Sequence, residues 1–126
     1  HHNTLRIMKK QDVVTFDKLH GQLVTMKAQF ETLSNKKPDG VVSEFKIGLV
    51  NKLLEETNNL IGSYKPFSDF DVFDNSPKVF NSDVLIILAQ YITAMGRFKT
   101  ANTKTEKGVG LNTDWLDTIE TWKTED

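Results

Sequence analysis

The chain contains no cysteine, two arginines and one histidine beyond its first two residues, and its longest apolar run is six residues, Val84 to Ala89. Each scarcity excludes something. Without cysteine there are no disulfides, no thiolate metal sites and no thiol nucleophile. A six-residue apolar run is far short of the ~20 that a membrane-spanning helix needs. With two arginines against 14 lysines, the chain is poor in the residue that reads guanine and grips phosphate with two parallel hydrogen bonds. With one internal histidine, neither a Ser-His-Asp arrangement nor a paired carboxylate-histidine metal site has its full set. Sixteen basic residues against 17 acidic ones leave a net charge of −1, so no overall field points to nucleic acid or to an anionic membrane.

What remains is an ordinary globular composition, 38% hydrophobic and 26% charged over 126 residues. That length favours one domain, burying roughly two-thirds of its unfolded surface. His1 and His2 read as the stub of a purification tag, and residues 3–7 as linker or native chain before a natural start at Met8. The expectation is therefore one domain over 8–126, soluble and cytoplasmic, with no cofactor and no metal.

From about Asp12 to Ser34 the apolar residues are Phe16, Leu19, Leu23, Met26, Phe30 and Leu33, at steps of 3, 4, 3, 4 and 3. This is a heptad seam that a strand of period two cannot produce. Gly21 interrupts it at a cost of about 1 kcal/mol relative to alanine. Lys36-Lys37-Pro38-Asp39-Gly40 supplies a basic helix end and turn chemistry. A second helix is expected from about Val41 to Tyr64, capped by Asp39, with the stripe Val42, Phe45, Leu49, Val50, Leu53, Leu54, Leu60 and Ile61. Lys65-Pro66 ends it. A third is expected from Ser82-Asp83 to about Thr100, apolar almost all round and hence central. Residues 99–110 read as a polar loop, and Asn112 or Thr113 as the cap of a short fourth helix to about Lys123, with Trp115, Ile119 and Trp122 on one face. The fold expected is all-α: an antiparallel up-down bundle of three long helices plus a short C-terminal helix.

No motif for catalysis stands out. Asp17 and His20, three apart, form half of a bundle metal site and lack the other half. Asp69, Asp71 and Asp74 miss the calcium-loop spacing, which requires glycine at the sixth position and glutamate at the twelfth. Gly108-Val-Gly110 has neither the strand nor the Gly-Lys-Ser/Thr of a phosphate loop. Two aromatic groups carry more: Phe67, Phe70 and Phe73 in the 66–81 connection, and Trp115 with Trp122. Both can close the core, and both are the side chains that anchor protein interfaces. Arg97, Lys99, Lys104 and Lys107 form a basic segment able to touch phosphate, although isolated lysines mostly serve solubility.

These patterns point to a non-catalytic bundle acting through protein–protein contact or self-association. The alternative is a nucleic-acid-associated regulator using the basic 97–107 segment. A metal-binding or enzymatic bundle ranks third.

Overall fold

A computed structural model describes residues 7–74, 77–107 and 118–125. It is mostly helical, with α1 (Lys10–Lys36), α2 (Glu44–Ile61), a 3-10 turn (Gly62–Tyr64) and α3 (Asn81–Ala101), followed by strands β1 (Thr103–Lys107) and β2 (Thr118–Trp122). Among the described residues no helix is long and apolar enough to cross a membrane.

The first helix follows its seam. Phe16, Leu19, Leu23 and Phe30 are buried, and Asp12 accepts from the Lys9 amide at 2.9 Å to cap the N-terminus. The second starts later than expected, at Glu44, because Ser43 rather than Asp39 caps it: Ser43 Oγ accepts from the Lys46 amide at 3.3 Å. Pro38, Gly40 and Val42 are instead tied to the start of α3. Ser82 N donates to Pro38 O at 3.0 Å, Asn81 N to Gly40 O at 2.9 Å, and Val42 N to Val79 O at 2.8 Å. Val41 and Phe80 pair there as an isolated antiparallel bridge.

That junction corrects the up-down topology. The starts of α2 and α3 lie together, and further along Tyr91 of α3 reaches Asn58 of α2, while Tyr64 meets Phe98 ring to ring at 5.7 Å. The two helices therefore run parallel, and only α1 is antiparallel to both. The cause is the connection of residues 65–80, which is long enough to travel back along α2 before α3 begins. The central position expected for α3 agrees with its burial. Val84, Leu88, Tyr91, Ala94, Met95 and Phe98 are buried, and Ile86 is its one large apolar side chain left in solvent.

The expected fourth helix is also corrected. Residues 118–122 form β2, antiparallel to β1 with Thr103 opposite Trp122 and Lys107 opposite Thr118; the start of that expected helix lies outside the described residues. The polar loop expected at 99–110 is helix to Ala101 and strand from Thr103 to Lys107. Alternating threonine in Thr-Lys-Thr-Glu-Lys and β-branched and aromatic residues in Thr-Ile-Glu-Thr-Trp favour extended chain, and three apolar residues were too few to fix a helical period. A lone two-stranded ribbon is marginal in water. This one is anchored by Trp122 edge-on to Phe16 at 4.9 Å, and by hydrogen bonds from the Lys123 amide to Asn102 O and from the Glu125 amide to Met8 O, each at 2.8 Å.

Candidate functional site: the groove between α1 and α2

The stripe expected on α2 divides in two. Val50, Leu53, Leu54, Leu60 and Ile61 are buried, joined by Ile47 and Thr57, which the sequence reading passed over. Thr57 is accommodated because its hydroxyl donates to Leu53 O at 2.8 Å. Phe45 and Leu49 are corrected from core to surface: 75% and 47% exposed. At 100° per residue, Ile47, Val50, Leu54, Thr57 and Ile61 share one side of α2, whereas Phe45, Leu49, Lys52 and Glu56, at steps of 4, 3 and 4, share another. Among the described residues only the first side is covered.

This second stripe edges a continuous groove between α1 and α2. One stretch, about 720 Å3, is lined by Asp17, Lys18, Gln22, Thr25, Lys52 and Glu56 among others. The next, about 540 Å3, is lined by Met26, Phe30, Leu33, Phe45, Leu49 and Val50, with Lys46 and Thr32 beside them. The two share Met26, Gln29 and Leu49. From Asp17 to Leu33 the groove follows α1 for about 24 Å at 1.5 Å per residue. The first stretch sets charges of both signs around the apolar side chains of Met26, Leu49 and Leu53; the second is almost wholly apolar, with the Phe45 ring standing out beside it. Met26 and Leu33, two members of the α1 seam, are only half-buried where they line this hollow.

The residues singled out from sequence lie elsewhere. Phe67, Phe70 and Phe73 are half-buried and stack edge to face in sequence, at 6.4 Å and 5.2 Å. Phe70, Val72 and Phe73 pack on the core. The segment is strapped to α2 by two carboxamides. Asn51 Nδ2 donates to Phe73 O at 2.9 Å, and Phe73 N donates to Asn51 Oδ1 at 2.8 Å. Two turns on, Asn58 Nδ2 donates to Asp71 O at 3.0 Å, while its Oδ1 accepts from the Tyr91 hydroxyl at 2.7 Å. Lys65 and Asp71 form an ion pair across the bend. Burial raises the Tyr91 phenol above its ordinary value near 10; the Asn58 hydrogen bond opposes that shift and the Asp71 charge adds to it.

Trp122 is half-buried against Phe16; Trp115 lies outside the described residues. Arg97 is exposed on α3, Lys99 pairs with Glu120 at 3.3 Å, Lys104 is exposed on β1, and the Lys107 side chain lies outside the description. His20 stacks on Phe16 with rings 5.8 Å apart and nearly parallel, which accounts for it as a core-edge residue. Among the described residues no three His, Asp or Glu side chains come together as a metal site, and no buried side-chain polar atom lacks a partner.

The signal that could have found the groove was present in the sequence. Phe45, Leu49, Lys52 and Glu56 form a seam of their own, half apolar and half charged, which a core-facing stripe would not be. Comparison with known proteins assigns no family: no family model, no curated protein and no solved structure matches the chain.

Proposed function

We propose that the protein is a non-catalytic interaction module, and that its working surface is the α1/α2 groove, which receives the apolar ridge of another helix. The observation that carries this reading is the exposure of Phe45 and Leu49, one turn apart, beside an apolar hollow. Large apolar side chains grouped on a surface mark binding sites far more often than scattered single ones do. A helix laid in a groove between two helices is an established recognition mode, read as anchors at i, i+3, i+4 and i+7. The aromatic groups singled out from sequence support the reading less, because Phe70, Phe73 and Trp122 spend their apolar surface on the chain's own core. The nucleic-acid alternative also gains little, since Lys99 already has an acidic partner.

The test is an amide-shift titration of dilute protein, at about 20 µM, with a synthetic 16-residue amphipathic peptide carrying leucine at the four anchor spacings and uncharged polar residues elsewhere. Shifts confined to Gln22–Leu33 and Phe45–Lys52, and abolished by Phe45→Glu, are the expected result. Shifts scattered over the surface, or none at millimolar peptide, would sink the proposal.

A further inference from the structure

We infer that the groove's occupant is an amphipathic helix of another protein, with an acidic side chain at one end of its apolar ridge that pairs with Lys46. This rests on the interaction reading above and names the partner's chemistry. Lys46 stands out by its position. Residues seven apart on a helix lie within about 20° of one another, so Lys46, Leu53 and Leu60 form one row along α2. Leu53 and Leu60 are buried, at 5% and 3% exposure, whereas Lys46 is exposed. The row is leucine where the described residues cover it and lysine where the groove lies open. Lys46 thus stands in line with core side chains and borders the hollow of Met26, Phe30 and Leu33.

The lining charges separate the two stretches of the groove. Around the first, Asp17 and Glu56 balance Lys18 and Lys52. Among the described residues lining the second, Lys46 is the one that carries a charge. Its ammonium takes part in no hydrogen bond or ion pair among the described residues. A helix that covers this stretch takes water from the ammonium. Without a counter-charge that loss opposes binding, and a carboxylate on the incoming helix offsets it. A second copy of this chain offers no such group: a two-fold contact over the stretch sets the patch against itself and brings Lys46 toward Lys46. A basic helix meets the same repulsion. The apolar hollow selects for a ridge, and the uncompensated lysine selects for an acid at its end.

The test uses the 16-residue leucine-ridge peptide described above, made with glutamate or with glutamine beside the leucine at one end, and then at the other. Dissociation constants are read from amide shifts at low salt. At one of the two ends the glutamate peptide should bind wild type about 5- to 10-fold more tightly than its glutamine twin. The advantage should shrink as salt rises. Lys46→Gln should bind the two peptides equally, and Lys46→Glu should prefer a lysine at that place. The Lys46 side chain is exposed and bonds to no other element, so far-UV circular dichroism of both variants should match wild type. The Lys46→Gln comparison also removes any gain that glutamate brings by stabilising the peptide helix itself. Equal binding of glutamate and glutamine peptides to wild type, or a preference that survives in Lys46→Gln, overturns the inference and leaves the groove reading standing. A dimer in sedimentation equilibrium that Phe45→Glu returns to monomer makes the occupant a second copy and overturns it too. Absence of binding by every peptide at millimolar concentration sinks both.

Discussion

Leu49 and Asn51 are two residues apart on α2, yet they face opposite conditions. Toward α3, Asn51 and Asn58 hold the returning connection backbone to side chain, and Phe70, Val72 and Phe73 seal the edge of the core. On the other side, Phe45 and Leu49 stand exposed beside a hollow that no described residue fills. The first side is expensive to build: polar side chains must meet backbone groups in fixed geometry, because an amide buried without a partner costs about 1–3 kcal/mol. The second needed no such device and received none. Among the described residues nothing closes the second flank in that way, and this contrast is what the proposed groove rests on.

The sharpest way to break this contrast is to truncate a leucine on each side. Leu54 is fully buried and Leu49 is 47% exposed. Leu54→Ala should cost about 2–5 kcal/mol through lost transfer energy and a residual cavity. Leu49→Ala, measured at low concentration, should cost less than about 1 kcal/mol. Urea unfolding monitored by circular dichroism gives both. Equal losses would mean that the two flanks are equally covered.

Asn51→Ala tests the strap itself. It removes both hydrogen bonds to Phe73 and leaves that amide and carbonyl half-buried without partners, for about 2 kcal/mol. Hydrogen exchange should show faster opening at residues 70–74, with α1 and the first half of α3 still protected. Protection at 70–74 equal to that of wild type would show that the phenylalanines alone hold the segment.

Tyr91 gives a smaller effect with a pH signature. Its phenol is raised in the folded state, so folding favours the protonated form. The resulting stability is fully present below the unfolded value near 10 and is lost as pH rises through the higher folded value. Tyr91→Phe should cost about 1 kcal/mol at neutral pH, the worth of the Asn58 bond, and should flatten the fall in stability above pH 10 relative to wild type. Parallel alkaline curves for the two proteins would remove the phenol from the account.

How far the sequence carried these conclusions differs from element to element. Helix α1 was legible because six apolar residues repeat on one period, and α3 because its apolar run is bounded by Ser82-Asp83 and too long for a strand. The connection was legible as a candidate to close the core, since it carries Phe67, Phe70 and Phe73. Its path was not, because the anchors are Asn51 and Asn58, whose pairing with residues 71 and 73 is a tertiary matter; two asparagines seven apart in a helix, neither a strong helix former, were the only trace. With the path hidden, the parallel course of α3 was hidden too. The groove was misread for a different reason. Periodicity reports which residues share a face, but whether that face is covered depends on how many neighbours the fold supplies, and the described residues give α2 fewer than its two stripes require.

Glycine offers the finest probe of the same contrast, because the sign of the effect changes with the surroundings. Gly40 sits where the α1–α2 turn meets the start of α3. A Cβ there would lie 2.7 Å from Asn81 Nδ2 and 3.1 Å from Lys37 O, and Asn81 Nδ2 already donates to Lys37 O at 2.9 Å. Gly40→Ala must push that carboxamide off its bond and should cost about 1 kcal/mol. Gly48 lies mid-helix between Phe45 and Leu49 in sequence, and a Cβ there meets nothing within 4 Å. Gly48→Ala should therefore stabilise the dilute monomer by about 0.5–1 kcal/mol, by restricting the unfolded chain and favouring helix. Thermal melts on dilute protein read both signs. A loss of stability from Gly48→Ala under those conditions would place something against α2 that the open groove does not contain.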